Sequence, residues 1–537
     1  MKQKLAALLL LWVIPFSGIA AAQDRIDDRV LAQIKAEGFQ NSKAMETVGY
    51  LTDVFGGRLT NSQNLKNAKV WMRDKMVELG FQNVQIEPWG TWGQGWNLER
   101  FSVEMTAPTY DRLIAYPLAW SPSTNGVVSG EPVVVSIRSN ADFAKYKGTL
   151  KGKIVMNGRV NFPTPESRKG DPIKRITDED LAKKESATDP TKDADGGGTV
   201  SYQEEEKEWL ESLARGREIV KFFKDEGVAA LIQPSRSPNG VLSVQGNYEP
   251  DVNFNPPTFV ISREQYSRIM RLTDRKIPVK MELSLQVRTE SDGTGSNVVG
   301  EIIGSDPKLK DEVVMLGGHF DSWHSGTGAA DNAAGCAAMV EALRILKALN
   351  LKPRRTIRVA LWDGEEQDYY GSIGYVKKHF GDPMTIKLKP EHEKLSAYYN
   401  LDNGSGRIRG IYLQGNEATR GIFEDYFRPF AYLGAKTIST INTGGTDHMA
   451  FDAVGLPGFQ FIQDPLDYNT RIHHTNLDVL ESINEEDMKV NAVIIAAIAY
   501  QTAMRDEKMP RKPLPKPAEG APCAITASPA PGCPDTR

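Results

Sequence analysis

The hydrophobic and polar positions after about residue 295 predict strands alternating with helices. Short apolar runs rich in β-branched residues, bounded by glycine or charged residues, indicate strands. They are NVVGEIIG, EVVMLGG, TIRVALWDG, LSAYYNLDN and GFQFIQD. Longer segments with helical spacing are NAAGCAAMVEALRILKAL, YGSIGYVKKHF and SINEEDMKVNAVIIAAIAYQTAM. This alternation predicts an α/β sheet covered by helices on both faces. Ser482 and Glu485 predict a capping box at the start of the last helix.

The pattern of the first half is different. The segment LKNAKVWMRDKMVELGF has helical spacing and is followed by a predicted strand, FQNVQIEPW. Around residue 130 the chain changes to short β-branched runs, EPVVVSI and GKIVMNG, and this β-rich block ends near Leu285. Inside the block, the charged stretch from about Thr164 to Glu206 is typical of a solvated insertion.

Composition places the chain among globular proteins. It has 537 residues, 40% of them hydrophobic, which is enough for two or three domains. The formal net charge of −4 and the lack of a concentrated basic stripe give no reason to expect a nucleic-acid partner. The later sequence contains no apolar run long enough to cross a bilayer.

The first residues resemble a secretory signal peptide. Lys2 and Lys4 precede an apolar run from Leu5 to Phe16, and small residues precede a predicted cleavage site before Gln23. The alternative is a membrane anchor, but the run is shorter than the roughly 20 residues that a span requires. The sequence therefore predicts export, to the periplasm or the medium, with no membrane span after cleavage.

The three cysteines are compatible with export. Cys523 and Cys533 lie in a proline-rich tail that begins after about residue 510, where they could close a small loop in an oxidising compartment. Cys336 lies on the alanine-rich predicted helix and is expected to be a buried free thiol. The tail itself is not expected to pack.

Candidate chemical groups follow the predicted strands. All seven histidines fall between residues 319 and 474. The polar groups found just past strand ends are His319 with Asp321, Glu365 with Glu366, Asp402, and His473 with His474. Because ligands of open α/β sheets bind at the carboxyl ends of the strands, we expect these groups to meet in one crevice.

Histidine and carboxylate side chains together favour zinc. A cluster richer in carboxylates than in histidines, without cysteine, is typical of a catalytic centre, in which one carboxylate can bridge two ions. The neighbouring side chains of Glu365 and Glu366 diverge, so one can reach metal while the other serves as a general base. An isolated acid or histidine is more often structural, and that role is assigned to His324, His379 and His392.

Six motifs between residues 317 and 478 together resemble the M28 family of zinc metallopeptidases. They are GGHFDSW, GAADNAAG, LWDGEEQDYYGS, NLDNGSG, GGTDHMAF and HHTNLD. The resemblance implies an α/β/α sandwich with a mixed central sheet. In its short β-branched runs and their order, the block at 110–285 resembles the protease-associated domain that some members carry as an insertion. Within the family, the layout is similar to secreted aminopeptidases and to the carboxypeptidase Q branch.

The implied division of the chain has four parts, one of which is made of two segments. These are a signal peptide (1–22), a discontinuous catalytic domain (23–115 and 286–510), an inserted protease-associated-like domain (116–285) and a proline-rich tail (511–537).

The same resemblance implies two zinc ions and a role for each candidate. His319 and Asp402 would complete one zinc site, Glu366 and His474 the other, and Asp331 would bridge the two. Glu365 would be the general base, and Asp321 would accept a hydrogen bond from the far nitrogen of His319. His474 is preferred to His473 as the last ligand because the family places that ligand directly before a serine or threonine.

Four further residues are given less definite roles. Several relatives have a tyrosine just before the last ligand, whose hydroxyl steadies the oxyanion, and this chain has His473 there. Either His473 or Tyr468 is therefore expected to donate that hydrogen bond. Asp447 and His448, in GGTDHMAF, are interpreted as residues that support the ligands or position the substrate, with a structural role as the alternative.

The predicted function is an exported di-zinc exopeptidase that hydrolyses terminal peptide bonds or dipeptides. One alternative is a glutaminyl-cyclase-like zinc acyltransferase, although those enzymes are compact and lack a large insertion. The other is a non-catalytic binding protein of the transferrin-receptor type, although those lack intact ligands. The sequence leaves open which end is trimmed, whether the chain forms a homodimer, and whether the insertion covers the cleft, restricts access to it or mediates dimer contacts.

Overall fold

The computed structural model describes residues 26–160, 175–192, 214, 216–246 and 256–516. The predicted signal peptide and both tail cysteines lie outside these ranges. Within them, every helix is too short or too polar to cross a bilayer. Cys336 is buried and free, as predicted.

A mixed sheet of eight strands forms the centre of the larger unit. Its strands, in spatial order, are β1 (Gln82–Thr91), β11 (Thr294–Ile302), β13 (Thr356–Trp362), β12 (Val313–His319), β14 (Leu395–Asn400), β17 (Gly458–Gln463), β15 (Ile408–Tyr412) and β16 (Thr437–Ser439). The central pairs β13–β12, β12–β14 and β14–β17 are parallel, whereas β1–β11, β11–β13 and β15–β17 are antiparallel. All five strands predicted after residue 295 are present, and the α/β class is confirmed.

Helices accompany this sheet, and apolar side chains bury its two faces in separate clusters. The helices of this unit are α1 (Asp28–Gln40), α2 (Ala44–Gly49), α3 (Gln63–Glu78), α8 (Ala334–Ala348), α9 (Tyr370–His379), α10 (Arg420–Phe427), α11 (His448–Asp452) and α12 (Glu485–Met504). The predicted capping box on α12 is wrong: Asn484, not Ser482, is the N-cap, and its side chain accepts the N–H of Asp487.

The β-rich block contains two smaller sheets. One has the order β4 (Ala115–Pro117), β9 (Thr258–Ile261), β8 (Ala230–Pro234), β7 (Ile154–Asn157), β6 (Pro132–Val135). The other has the order β3 (Asp111–Arg112), β2 (Gly95–Ala107), β10 (Lys280–Glu290), β5 (Val128–Gly130). Its helices are α4 (Asn140–Tyr146), α5 (Asp178–Glu185), α6 (216–225) and α7 (Arg263–Asp274). The domain limits and the protease-associated likeness stay predictions.

The described part of the charged stretch, residues 175–192, is mostly exposed, in agreement with a solvated segment, but it is also anchored to the main unit. We call it the strap. Arg175 lies between the buried carboxylates of Asp464 and Asp487, at 2.8 and 2.7 Å, and so joins the strap to the end of β17 and the first turn of α12. The anchor was not predicted; it forms because buried acids require cationic partners, and the strap supplies one.

Candidate metal centre

Three strand ends bring most of the predicted residues to one edge of the main sheet. His319 is the last residue of β12, Glu365 and Glu366 follow β13, and Asp402 follows β14. These strands are parallel neighbours, so their carboxyl ends open into the same crevice. The loop before α8 and the segment after β17 contribute the remaining residues.

Asp331 lies at the middle of the cluster, and its two carboxylate oxygens face different histidines. Oδ1 is 3.0 Å from Nε2 of His319, and Oδ2 is 3.4 Å from Nε2 of His474. Its backbone is held by Asp478, which accepts the N–H groups of Ala330 and Asp331 at 2.6 and 3.2 Å. One carboxylate is thus oriented toward two separate imidazoles, which is the arrangement expected of a bridging ligand.

One more carboxylate accompanies each histidine. Oδ1 of Asp402 is 3.3 Å from Nε2 of His319, and Oε2 of Glu366 is 2.9 Å from Nε2 of His474. All of these residues except His474 are at least nine-tenths buried. Two histidine–carboxylate sets therefore lie side by side and share Asp331.

The donor atoms fit zinc. The groups His319–Asp331–Glu366 and His319–Glu365–Asp402 each place their ligand atoms within 4.8 Å of one another. Oδ2 of Asp331 and Oε1 of Glu366 are buried, and neither has a hydrogen-bond partner among the described residues. Buried anionic oxygens without partners are costly, and a cation is the simplest group that satisfies them.

Without a cation, the cluster is electrostatically strained. Burial raises the pKa of Glu365 and of Glu366 well above the usual range, and the neighbouring carboxylates raise them further. Burial opposes protonation of His319, but the surrounding carboxylates outweigh it and raise its pKa. Burial alone would raise the pKa of Asp331, yet the hydrogen bond and charge of His319 hold it below its usual value. A divalent cation reverses this balance by favouring the ionised carboxylates.

The raised pKa values of these buried carboxylates predict how the stability of the metal-free protein depends on pH. Burial raises the pKa of Asp447 and of Asp478 to about 8, in the same direction as Glu365 and Glu366. Raised folded-state pKa values contribute stability at low pH that is lost as the pH rises through them. After removal of metal, the melting temperature measured by calorimetry should therefore fall between pH 7 and pH 9.

The zinc-loaded protein is the control for this pH prediction. It should show a weaker decline, because bound zinc favours the ionised carboxylates. Histidines with lowered pKa values, such as His324 and His448, act in the opposite direction only in more acidic solution. A metal-free melting temperature that is constant or rising from pH 7 to pH 9 would contradict the prediction.

The side chain of Asp321 has a different partner from the one predicted. Its carboxylate accepts the N–H groups of Glu365 and Glu366 at 3.2 and 3.3 Å and the hydroxyl of Thr60 at 3.1 Å. Nδ1 of His319 donates instead to the main-chain carbonyl of Asp321 at 3.1 Å, with the carboxylate at 3.7 Å. The backbone of Asp321 therefore fixes the His319 tautomer, while its side chain holds the turn that carries both glutamates.

The two adjacent histidines are not equivalent. His474 approaches both Asp331 and Glu366, whereas Nε2 of His473 lies 3.8 Å from Asp331 and its side chain is 44% exposed. The ring of His473 packs on Tyr468 with 4.9 Å between centroids. Burial raises the pKa of Tyr468 well above its usual range, so its hydroxyl stays protonated and able to donate.

The loop motif GGTDHMAF lies next to this centre. Asp447 is fully buried, and the charges of His319 and Asp402 both affect its pKa. Nε2 of His448 donates to the carbonyl of Thr443 at 2.8 Å, which fixes the loop. The position agrees with a supporting role for the motif.

Gln245 was not among the predicted site residues, yet its side-chain amide nitrogen lies 2.8 Å from Nδ1 of His474. It comes from the β-rich block, 229 residues earlier in the chain, and no motif marks it. The structural roles assigned to three histidines agree with their contacts. His324 bonds to the carbonyl of Pro117, His392 to that of Val454, and His379 to Glu87 and Glu391.

The fold and the site together define a mixed α/β protein with a histidine–carboxylate cluster at the strand ends that could hold metal. Residues 297–499 match the model of peptidase family M28. The predicted class of enzyme, a metallo-exopeptidase, is confirmed by this match and by the carboxypeptidase relatives.

Relatives extend over nearly the whole chain. Carboxypeptidase Q of Rattus norvegicus is 27% identical over 487 residues, covering 90% of each chain. The peptidase M28 precursor of Shewanella amazonensis has a TM-score of 0.64 and 26% identity, over 91% of this chain and 98% of that one. A zinc aminopeptidase of Bacillus subtilis has a TM-score of 0.54 at 18% identity, over 85% and 94%, and shares the fold.

Proposed function

We propose that the protein is an exported di-zinc exopeptidase that hydrolyses the terminal bond of peptides or the single bond of dipeptides. The observation that carries this proposal is the placement of Asp331, whose two oxygens face His319 and His474 separately. A single-ion site needs no such shared carboxylate. The two flanking acids, Asp402 and Glu366, give each position its own complement of ligands.

In this proposal, His319 and Asp402 would hold one zinc, Glu366 and His474 would hold the other, and Asp331 would serve as a ligand to both. Zinc bound there would polarise the scissile carbonyl and lower the pKa of the attacking water. The side chains proposed as ligands are held in fixed positions and shielded from bulk water, because His319, Asp331, Glu366 and Asp402 are buried.

Glu365 is the proposed general base. Its Oε2 is 3.9 Å from Nε2 of His319, so its carboxylate faces the space between the ligands. Burial and the nearby acids raise its pKa well above the usual range for glutamate when no metal is bound, and bound zinc would lower this pKa again and keep the carboxylate ionised, so that it can accept a proton. It takes the proton of the attacking water and returns it to the leaving amine.

Tyr468 and His473 are the proposed donors to the oxygen that gains charge in the transition state. Their rings pack together beside His474, at the more open side of the cluster. The hydroxyl of Tyr468 is kept protonated, and the partly exposed ring of His473 can turn a nitrogen toward substrate. Either donor would act only as charge develops, which is the condition for lowering the barrier.

The relatives favour substrates with free ends. The relative that covers 90% of the chain is named a carboxypeptidase, whereas the fold is also that of a zinc aminopeptidase. A dipeptide with both ends free meets either requirement, so it is the substrate that we expect to be cleaved best.

A substrate panel tests this proposal. It contains free dipeptides, dipeptides blocked at the amino or the carboxyl end, aminoacyl anilides and peptides with amino-terminal glutamine. We expect hydrolysis of free dipeptides that is lost on chelation and restored by two equivalents of zinc. Cyclisation of glutamine without hydrolysis would favour an acyltransferase, and no turnover of any compound by the two-zinc protein would favour a binding protein.

Export is the second part of the proposal. It is supported by the basic start, the apolar run and the small residues of the first 22 positions. Amino-terminal sequencing of the mature protein should begin at Gln23, and full-length protein retained in the cytoplasm would overturn this part.

A further inference from the structure

A loop of the β-rich block pairs with the segment that carries His474. We call residues 241–246 the docking loop. The N–H of Val244 donates to the carbonyl of His474 at 3.1 Å, and the N–H of Asn476 donates to the carbonyl of Leu242 at 3.0 Å. The N–H of Leu242 donates in turn to Oδ1 of Asn476 at 2.7 Å. Three hydrogen bonds thus join the docking loop to the immediate surroundings of one proposed zinc ligand.

The side chain of Gln245 extends this contact to the imidazole itself. Its amide lies 2.8 Å from Nδ1 of His474. Nε2 of the same ring faces Glu366 and Asp331, so Nε2 is the nitrogen available to metal. Nδ1 must then carry the proton and donate it, and the amide oxygen of Gln245 is the matching acceptor, since the two ends of an amide can exchange places.

The backbone of His474 makes external support necessary. Its φ is +57°, in the left-handed region that side-chain-bearing residues rarely adopt. The pairing with Val244 holds this conformation, and Gln245 holds the ring orientation. Gly246 allows the loop to approach closely, because a Cβ there would lie 2.6 Å from Cβ of Ala119 and 2.8 Å from the side chain of Trp120.

We propose that Gln245 is a positioning residue of the metal centre, so that zinc binding and docking of the β-rich block stabilise each other. The inference rests on the zinc site of the proposed function, and it is independent of which peptides are cleaved. Partners of this kind fix the tautomer and orientation of a ligating histidine. Because coupling between two equilibria is reciprocal, zinc should tighten the docking loop to the same extent that the docked loop tightens zinc.

Zinc affinity of the full-length protein gives the first test, measured by competition with a chromophoric chelator. Gln245→Leu removes the acceptor and should weaken one of the two zinc ions by about 10- to 100-fold. Gln245→Glu keeps an acceptor oxygen at the same length and should retain affinity within a few-fold of the unmodified protein. Gln286→Leu, on the exposed face of β10, is the matched control and should bind both ions normally.

A second variant disturbs the loop while keeping Gln245. Gly246→Ala forces the loop away from Ala119 and Trp120, so it should also weaken one zinc ion. Unchanged zinc affinity in Gln245→Leu would overturn the proposal, as would an equal loss in Gln245→Leu and Gln245→Glu, because the latter outcome would indicate a packing effect rather than a hydrogen bond.

Hydrogen exchange of the amides of Val244 and Asn476 tests the reciprocal effect. Removing zinc from the unmodified protein should accelerate exchange at both amides, and Gln245→Leu should exchange fast whether zinc is present or not. Protection that does not depend on zinc would contradict the linkage. These readouts involve no substrate, so a protein inactive on the whole peptide panel can still support this inference, and an active one can still refute it.

Discussion

Glu365→Gln is expected to lower the turnover of a free dipeptide by about 10²- to 10⁴-fold, the range typical of a lost general base. Glutamine has nearly the shape of glutamate but cannot accept the proton of the attacking water. Since Glu365 is not among the residues proposed to hold either zinc, metal content should stay at two ions per chain. Steady-state kinetics and metal analysis of the same preparation would measure both quantities.

Glu341→Gln is the matched control for this variant. Glu341 is also buried, but it lies on α8 and pairs with Arg344, away from the cluster. Its replacement should lower stability without a comparable loss of turnover. Near-normal turnover in Glu365→Gln would remove Glu365 from the role of base, whereas loss of zinc from that variant would make it a ligand instead.

Asp331→Ala is expected to abolish binding of both zinc ions and, with it, all measurable hydrolysis. Its two oxygens face one histidine of each histidine–carboxylate set. Removing this carboxylate takes one ligand from each proposed zinc site at once. The remaining carboxylates of the two sets, Asp402 and Glu366, then repel each other. Metal analysis after dialysis against a low zinc concentration would show fewer than one ion per chain.

Asp142→Ala separates this effect from general loss of a buried acid. Asp142 completes a capping box at the start of α4, so its removal should lower stability. Both zinc ions should remain bound in that variant. Two ions retained by Asp331→Ala would mean that this residue does not bridge the sites.

The sequence predicted the central sheet because its signals are local. Runs such as EVVMLGG and TIRVALWDG are short, rich in β-branched residues and bounded by turn residues, so each run by itself is enough to predict one strand. His319, Glu366 and Asp402 could be grouped in advance because parallel strands share one edge, and position relative to a strand end is readable without knowing the sheet order.

The remaining parts of the site depend on contacts that no local pattern encodes. Gln245 reaches His474 from another sheet, and nothing distinguishes it from any other glutamine in a loop. The carboxylate of Asp321 turned toward the glutamate turn because two main-chain N–H groups there needed an acceptor, a demand that exists only after folding. The anchor of the strap could not be predicted for the same reason, since the buried acids that bind Arg175 lie far away in sequence.

The pairing of β1 with β11 has a consequence for synthesis of the chain. β1 ends at Thr91, and its antiparallel neighbour begins at Thr294, so the β-rich block is translated before this edge of the central sheet can close. While the ribosome synthesises that block, the apolar side chains of α3 and β1 stay exposed to solvent, because β11 has not yet been made. Nascent amino-terminal segments are therefore where chaperones should be needed most, and truncated products ending before β11 should aggregate.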